Sequence, residues 1–420
     1  MSERVTSLHS GSPGWRKTLT ILFIGQLLTA VGFSSFFPFL PFYVDELGSV
    51  SGMSTELLSG LVFSAQAFTM MLASPFWGAI ADRYGRKLMV ERSMFGGAVI
   101  LLLMAYARSA EELVALRAIQ GLITGTIAAA NALVAASVPA AMTGYAMGLL
   151  QVGLGAGVAL GPLIGGTIAD AYGYNAAFYV TAALLFLAGL LIWWGVDEDF
   201  VRDPSLEKQR IHFIAEWRRI VARPGVLTTY SMRFMSQIGT MLILPMLPLF
   251  IQTLHVDPSR LNTFTGLAVG VSSATTTLSS VFLGRLGDRI GHRRIVIACA
   301  ASAALLYVLQ GLSQLGWQLL AMQALVGVAL GGIVPSISAL LAKFTPQGEA
   351  GAVYGLDNSI TSGGRAIAPL LGSAVAVVFS LRATFLATAL AFLITAALAA
   401  QFLPKAPPGE AVQPAEPEPA

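Results

Sequence analysis

The sequence predicts an all-α polytopic membrane protein whose twelve transmembrane helices form two pseudo-symmetric six-helix bundles. Composition is the first observation behind this. Hydrophobic residues make up 55% of the 420 and charged residues 11%, with a mean hydropathy of +0.72, against about 25% charged residues in soluble domains. Length is the second: a bilayer-crossing helix needs about 20 mainly apolar residues. Cutting the chain at charged or Gly/Pro-rich breaks leaves twelve such segments, near 18–43, 57–80, 88–107, 113–136, 144–169, 175–195, 226–251, 262–284, 295–314, 317–341, 351–377 and 383–403. The third observation is repetition. Gly78-Ala-Ile-Ala-Asp82-Arg83-Tyr84-Gly85-Arg86-Lys87 returns 206 residues later as Gly284-Arg-Leu-Gly-Asp288-Arg289-Ile-Gly291-His-Arg293-Arg294, an interval close to half the chain and expected of a duplicated half.

The divisions that follow are a cytoplasmic segment 1–17, a six-helix bundle 18–195, a linker 196–225, a second bundle 226–403 and a tail 404–420. Residues 1–17 are polar and carry no cleavable signal pattern, so the first span is expected to stay as an anchor. With both termini cytoplasmic, lysine and arginine crowd the inner segments and only Arg108, Arg260 and Arg382 fall outside, which sets the orientation. The pI near 9.0 then reflects that inside bias, and no nucleic-acid partner is expected. The linker carries a stripe of Ile211, Ile214, Trp217 and Val221, read as a short amphipathic helix, either interfacial or solvated. The tail is Pro/Glu/Ala-rich and expected to be disordered.

Within the spans, the first ends in Gly32-Phe-Ser-Ser-Phe-Phe-Pro38-Phe-Leu-Pro41 and the seventh in Gly239-Thr-Met-Leu-Ile-Leu-Pro245-Met-Leu-Pro248, with the prolines 207 residues apart. Proline frees backbone groups and permits a bend. In the repeated motif a Gly precedes Asp-Arg by four residues and a second Gly and further cations follow. That pattern predicts a closely packed helix end and a sharp turn in a charged loop. The fourth span carries Leu113-x-x-x-Arg117-x-x-Gln120-Gly121. There Arg117, Gln120, Thr124 and Asn131 fall within about 60° on one helix face, expected to be wet or protein-lined because an arginine facing lipid is costly. The fifth span holds Gly148, Gly157, Gly161, Pro162, Gly165 and Gly166, small residues that let helices approach closely. Its counterpart in span eleven keeps Gly355, Gly364, Pro369 and Gly372 but departs at Arg365 and Ala368. Gly266, Gly270 and Ala274 of span eight make a smooth partner for span five, the expected sliding seam between halves.

Several chemistries are excluded or unsupported. No GxSxG, HExxH or Walker A sequence occurs, so neither an intramembrane enzyme nor an ATP-driven pump is expected. The one cysteine, Cys299, precludes an intramolecular disulfide. His9, His212, His255 and His292 lie outside the spans, so no metal site is expected. A central cavity would draw on Gln26, Phe33, Phe37, Pro38 and Pro41 of span one, on Arg117, Gln120, Thr124 and Asn131 of span four, on Arg233, Gln237 and Met241 of span seven, and on Asp357, Asn358 and Arg365 of span eleven. Phe33, Phe36, Phe37, Met235, Met241 and Met246 offer adaptable surfaces suited to promiscuous binding. Asp357 is an acid inside a span, and a proton carrier and a structural support are equally open readings. Arg365 lies about 12 Å along the same helix, too far to pair with it, so the partner should come from another helix or from water.

The motif Gly78-x-x-x-Asp82-Arg83-x-Gly85-Arg86-Lys87 resembles the signature loop of the major facilitator superfamily. With Pro38-x-x-Pro41, the run Ser74 to Lys87, Arg117, Asn131-Ala-Leu and Gly161-Pro162, the chain up to about Leu403 resembles its twelve-span drug:proton antiporter group. That resemblance implies the major facilitator fold, with two domains that enclose one site and open alternately to each side. It also implies export of amphipathic or apolar drugs in exchange for protons, without a cofactor, by a monomer in a bacterial inner membrane. Within the family the span-five motif marks proton-driven exporters, and Asp82 would sit at the N-terminus of helix eleven and latch the outward-facing state. Two positions depart from the pattern. Ser137 stands where the family commonly has an acid to pair with Arg86, and span one offers Gln26 and Thr29 where some relatives carry an acid. The alternative is a facilitator-type, proton-coupled importer of a small metabolite, whose cavity should display several fixed polar groups.

Overall fold

The computed structural model describes residues 14–125, 130, 133–134, 138–139, 142–198, 221, 225–345 and 350–403, with the side chains of Pro75, Gly78, Ala79, Asp82 and residues 350–352 excepted. Asn131, Ser137, all of the linker stripe but Val221, and the tail lie outside the described residues. The first crossing consists of α1 (Trp15–Ser35) and α2 (Leu40–Leu47), and the next two are α3 (Thr55–Tyr84) and α4 (Arg86–Met104). There follow α5 (Ala110–Ile123), α6 (Thr143–Tyr172) and α7 (Tyr174–Gly195). The second half repeats the series with α8 (Val226–Leu242) and α9 (Met246–Gln252), then α10 (Leu261–Ile290), α11 (His292–Gly311), α12 (Gly316–Lys343), α13 (Ala350–Val378) and α14 (Leu381–Phe402).

Among the described residues, ten stretches are long and apolar enough to cross a membrane. The third crossing, α4, carries Arg86, Lys87, Glu91 and Arg92 in its first two turns, too many charges to read as apolar throughout. The fourth is helical over 14 residues and then turns extended at Thr124, with ψ 164°. The single face expected to carry Arg117, Gln120, Thr124 and Asn131 is therefore continuous only from Arg117 to Gln120, with Thr124 at the helix end and Asn131 outside the described residues. The proline-bearing ends of the first and seventh crossings are outright breaks, α1 to α2 across residues 36–39 and α8 to α9 across residues 243–245. Proline deletes a backbone donor and its ring clashes with the preceding turn.

The expected charged loop contracts to one residue. α3 runs through Asp82 and Arg83 to Tyr84, and α4 begins at Arg86, leaving only Gly85 at φ 99°. Gly291, at φ 95°, does the same between α10 and α11. A positive φ costs glycine nothing and other residues about 1 kcal/mol or more. The cations that follow serve helix C-termini, whose last carbonyls lack partners and attract positive charge. Lys87 Nζ donates to Trp193 O at 2.9 Å, while Arg293 donates to Ala399 O at 3.1 Å and Ala400 O at 2.6 Å. Lys87 and Arg293 are 206 residues apart, as are Trp193 and Ala399, so the duplication extends to individual contacts.

Each half has its own core. In the first, Phe36, Phe39, Tyr43 and Phe178 form a buried aromatic cluster; in the second, Phe250 meets Phe385 at 4.6 Å and Tyr307 stacks on Phe392 at 5.5 Å. The halves join along two seams, α6 with α10 and α3 with α13. A Cβ at Gly266 would fall on Pro162 O, and one at Gly60 would stand 2.8 Å from Pro369 O. These two contacts are pseudo-symmetric copies, so the degenerate motif of span eleven keeps the structural role of its proline.

The seam corrects the expected use of the span-five glycines. Gly157, Gly161 and Gly165 face α1, within their own half, against Ala30, Ser34 and Ser35. Ser34 Oγ donates to Gly157 O at 3.0 Å. The seam with α10 uses Gly155, Ala159, Pro162 and Gly166, which meet Thr277, Gly270, Gly266 and Asn262. A helix carrying small residues on adjacent faces thus packs closely on two neighbours at once.

Candidate functional site

The seam is tight at one end only. On α6, Gly144, Gly148, Gly155, Ala159, Pro162 and Gly166 lie within about 60° of one another. The last four touch α10, whereas a Cβ at Gly144 or Gly148 would meet nothing within 4 Å. On α10 the face of Asn262, Gly266, Gly270 and Thr277 continues to Gly284 and Asp288, whose side chain is 72% exposed. Between these faces the halves are packed at the end bearing Asp170 and part toward the end bearing Gly85 and Gly291.

The same holds on α13. Pro369 and Ser373 meet Gly60 of α3. Nearer the Gly85 end, the face within about 100° of them runs through Arg365, Asn358 and Tyr354, all accessible. Beside this polar face Asp357 finds the partner from another helix that its position requires. Arg233 of α8 places Nε 3.4 Å from Asp357 Oδ1, with side chains 17% and 13% exposed. The pair is close enough for charge attraction, but neither atom is aligned for a hydrogen bond. Tyr230, one turn earlier on α8, donates to Val353 O at 2.9 Å and lies in the field of Asp357. Arg365 and Arg233 are also near enough for their charges to interact. Two guanidinium groups and one carboxylate therefore share this part of the second half. Gln237 packs on Gly364, and Met241 on the core of Ile238, Leu242 and Ala368.

Arg117 is fully buried inside the first half and does not line the cleft. Its Nε donates to Val62 O at 3.2 Å, one Nη donates to Gln120 Oε1 at 2.5 Å, and its Cζ lies 5.1 and 5.8 Å from the rings of Phe36 and Phe63. Arg117→Ala is expected to cost about 2 kcal/mol or more, with Arg117→Lys recovering only part because an ammonium lacks the planar fork. Thermal unfolding in detergent measures both. Thr124 is buried nearby with its hydroxyl on Gln120 O at 2.9 Å. Gln26 and Thr29 are buried on α1, and among the described residues neither Gln26 Oε1 nor the Thr29 hydroxyl has a hydrogen-bond partner. Phe33, Phe37, Pro38 and Pro41 belong to the first half's packing, with Phe37 5.7 Å from Phe63. Phe36 and Met246 are fully buried; as core residues they offer no adaptable cavity surface.

Three features escaped the sequence reading. Glu198, three residues past α7, accepts from the backbone N–H of Arg86 at 2.9 Å and of Lys87 at 2.8 Å, capping α4 with a carboxylate. Arg92 lies 3.6 Å over the ring of Trp77, whose indole N–H donates to Leu122 O at 2.6 Å. Asp170, in the last turn of α6, accepts from Asn262 N at 3.2 Å, Asn262 Nδ2 at 2.8 Å and Thr263 N at 2.7 Å. A lone acid closing an apolar run was the available signal for Asp170; nothing local in sequence marks the other two.

A duplicated bundle with a cleft between its halves and helices broken at matching prolines defines the class as a polytopic membrane transport protein, not an enzyme. The chain belongs to the Major Facilitator Superfamily, which it matches over residues 22–232 and again over 229–420. It is 37% identical over 379 residues to the multidrug resistance protein MdtG of Salmonella typhimurium, covering 89% of this chain and 92% of that one. The MdtG of Enterobacter lignolyticus is 37% identical over 382 residues, 91% of each chain. The fold is shared with an inward-facing, occupied bacterial homologue of the human lysosomal transporter Spinster, at a TM-score of 0.77 and 15% identity over 94% of this chain and 98% of that one.

Proposed function

We propose that this protein exports amphipathic or apolar drugs and toxic compounds in exchange for protons, by alternating access, as a monomer in a bacterial inner membrane with both termini cytoplasmic. The observation that carries the reading is the Arg233–Asp357 pair beside the accessible face of α13. A carboxylate within a span is tolerated when protonated or paired, and a proton carrier alternates between those two states. The relatives named multidrug resistance proteins support the substrate class, and the proton gradient supplies the energy without a cofactor. In this orientation the Gly85 end is cytoplasmic, so the cleft opens inward. A dye and antibiotic panel in an efflux-deficient host, followed by counterflow in proteoliposomes with and without a proton gradient, tests it. Gradient-independent counterflow alone would defeat antiport.

Import of a small metabolite is the second reading, and the polar face of Tyr354, Asn358 and Arg365 favours it by offering fixed hydrogen-bonding groups. Net flux against the proton gradient decides between them. In either direction Asp82 is the proposed latch of the outward-facing state, by its place at the end of α3. Asp82→Asn is expected to abolish transport without loss of membrane insertion; normal efflux by a fully inserted variant would remove the latch.

A further inference from the structure

We propose that Asp170 is a positioning residue of the transport cycle, a carboxylate clasp that holds the two halves together at the end opposite Asp82 and is released each time that end opens. It lies in the last turn of α6, in the first half, whereas its three donors belong to the first turn of α10, in the second. The opening N–H groups of a helix need acceptors from outside the helix, and they attract negative charge. α10 supplies no side-chain cap of its own, since its N-cap position is Arg260. The acceptors come from the other half instead. Both oxygens of Asp170 are engaged, Oδ1 by Asn262 and Oδ2 by Thr263.

The clasp is conditional on closure. One turn below it Gly166 lies against the backbone of Asn262, so closely that a Cβ would meet Asn262 O. The four groups can meet only while α6 and α10 touch there, and any opening of this end breaks all three bonds. Asp170 therefore stabilises the state closed at this end. The sense is opposite to that proposed for Asp82. Tyr174 at the start of α7 stands near Asn262 and shares the field of Asp45, Glu46 and Asp170, which adds no cation to replace the clasp. The words inward and outward rest on the proposed orientation; the clasp does not.

The test measures distance across that end. In a Cys299→Ser protein in nanodiscs, nitroxide labels at Val50→Cys and Leu312→Cys report on two exposed sites, one in each half and away from the clasp. Pulsed electron spin resonance should give mainly a short distance in the parent. Asp170→Asn keeps the size but turns a donor toward one of the N–H groups, and should raise the long-distance fraction several-fold. Asn262→Ala, which removes one donor and leaves Asp170 in place, should shift it less in the same direction. Distributions like the parent's in both variants would overturn the clasp, as would an Asp170→Asn shift toward shorter distances. If Asp170→Asn fails to insert, Asn262→Ala alone decides. No substrate is needed, so failure of the export reading leaves this result interpretable.

Discussion

Gly266→Leu is expected to abolish transport in a protein that still reaches the membrane. The Cβ of any larger residue would land on Pro162 O, which is helix backbone, so relief requires moving α6 or α10 as a whole. Overpacking of this kind costs about 1–3 kcal/mol, and here the strain falls on the seam between the halves. The closed state of that end is lost, and with it one of the two states a transport cycle needs. Gly60→Leu should act likewise at the second seam, where Pro369 O is the obstruction. Gly148→Leu is the control. It lies on the same α6 face with nothing within 4 Å of its Cβ and should leave thermal stability near that of the parent. Dye uptake into inverted vesicles, normalised to protein in the membrane, reads the effect; parental uptake by Gly266→Leu would show that close approach at this seam is dispensable.

The second large effect is expected from Asp357→Asn, which should eliminate proton-driven efflux while downhill substrate exchange continues. The amide occupies the same space beside Arg233 but can neither take up a proton nor carry charge. Arg233 then loses its only carboxylate partner among the described residues and becomes free to hold an anion or water. Two alternatives give different patterns. Equal loss of both activities would assign Asp357 to support of the conformational latch, and retention of both would remove it as an essential proton carrier. Measuring exchange and gradient-driven efflux in the same proteoliposome preparation separates the three.

Much of the fold was legible because bilayer physics leaves few solutions. A span must be long, apolar and internally hydrogen-bonded, so the breaks in hydropathy mark the crossings. Where that logic weakened, so did the reading. α4 begins with four charges in two turns, and the boundary placed near residue 88 left Arg86 and Lys87 outside the helix. The repeat was visible in the Asp-Arg motif, in the prolines of spans one and seven and in the span-five and span-eleven glycines, but its reach into contacts was not. Gly121 on Gln66 and Thr69, and Gly327 on Ser272 and Thr275, are the same packing made twice, as are Gly165 on Ser35 and Gly372 on Leu242.

The sequence by itself determined the class, the duplication, the two proline breaks, the glycine turns at Gly85 and Gly291 and the need for a partner to Asp357. Each follows from local chemistry: apolar length, a backbone conformation reserved for glycine, a missing N–H, a charge that lipid will not hold. Tertiary structure alone decided which neighbour each surface meets. Gly157, Gly161 and Gly165 turn to α1 while Gly155, Pro162 and Gly166 turn to α10, because helical spacing tells which residues share a face but not what lies opposite it. Likewise Arg233 reaches Asp357 across 124 positions of chain, Glu198 caps α4 and Asp170 caps α10. A buried charge demands a counter-charge or donors within a few ångströms, and in a bundle of crossing helices that distance is set by how the helices are arranged, not by their order along the chain.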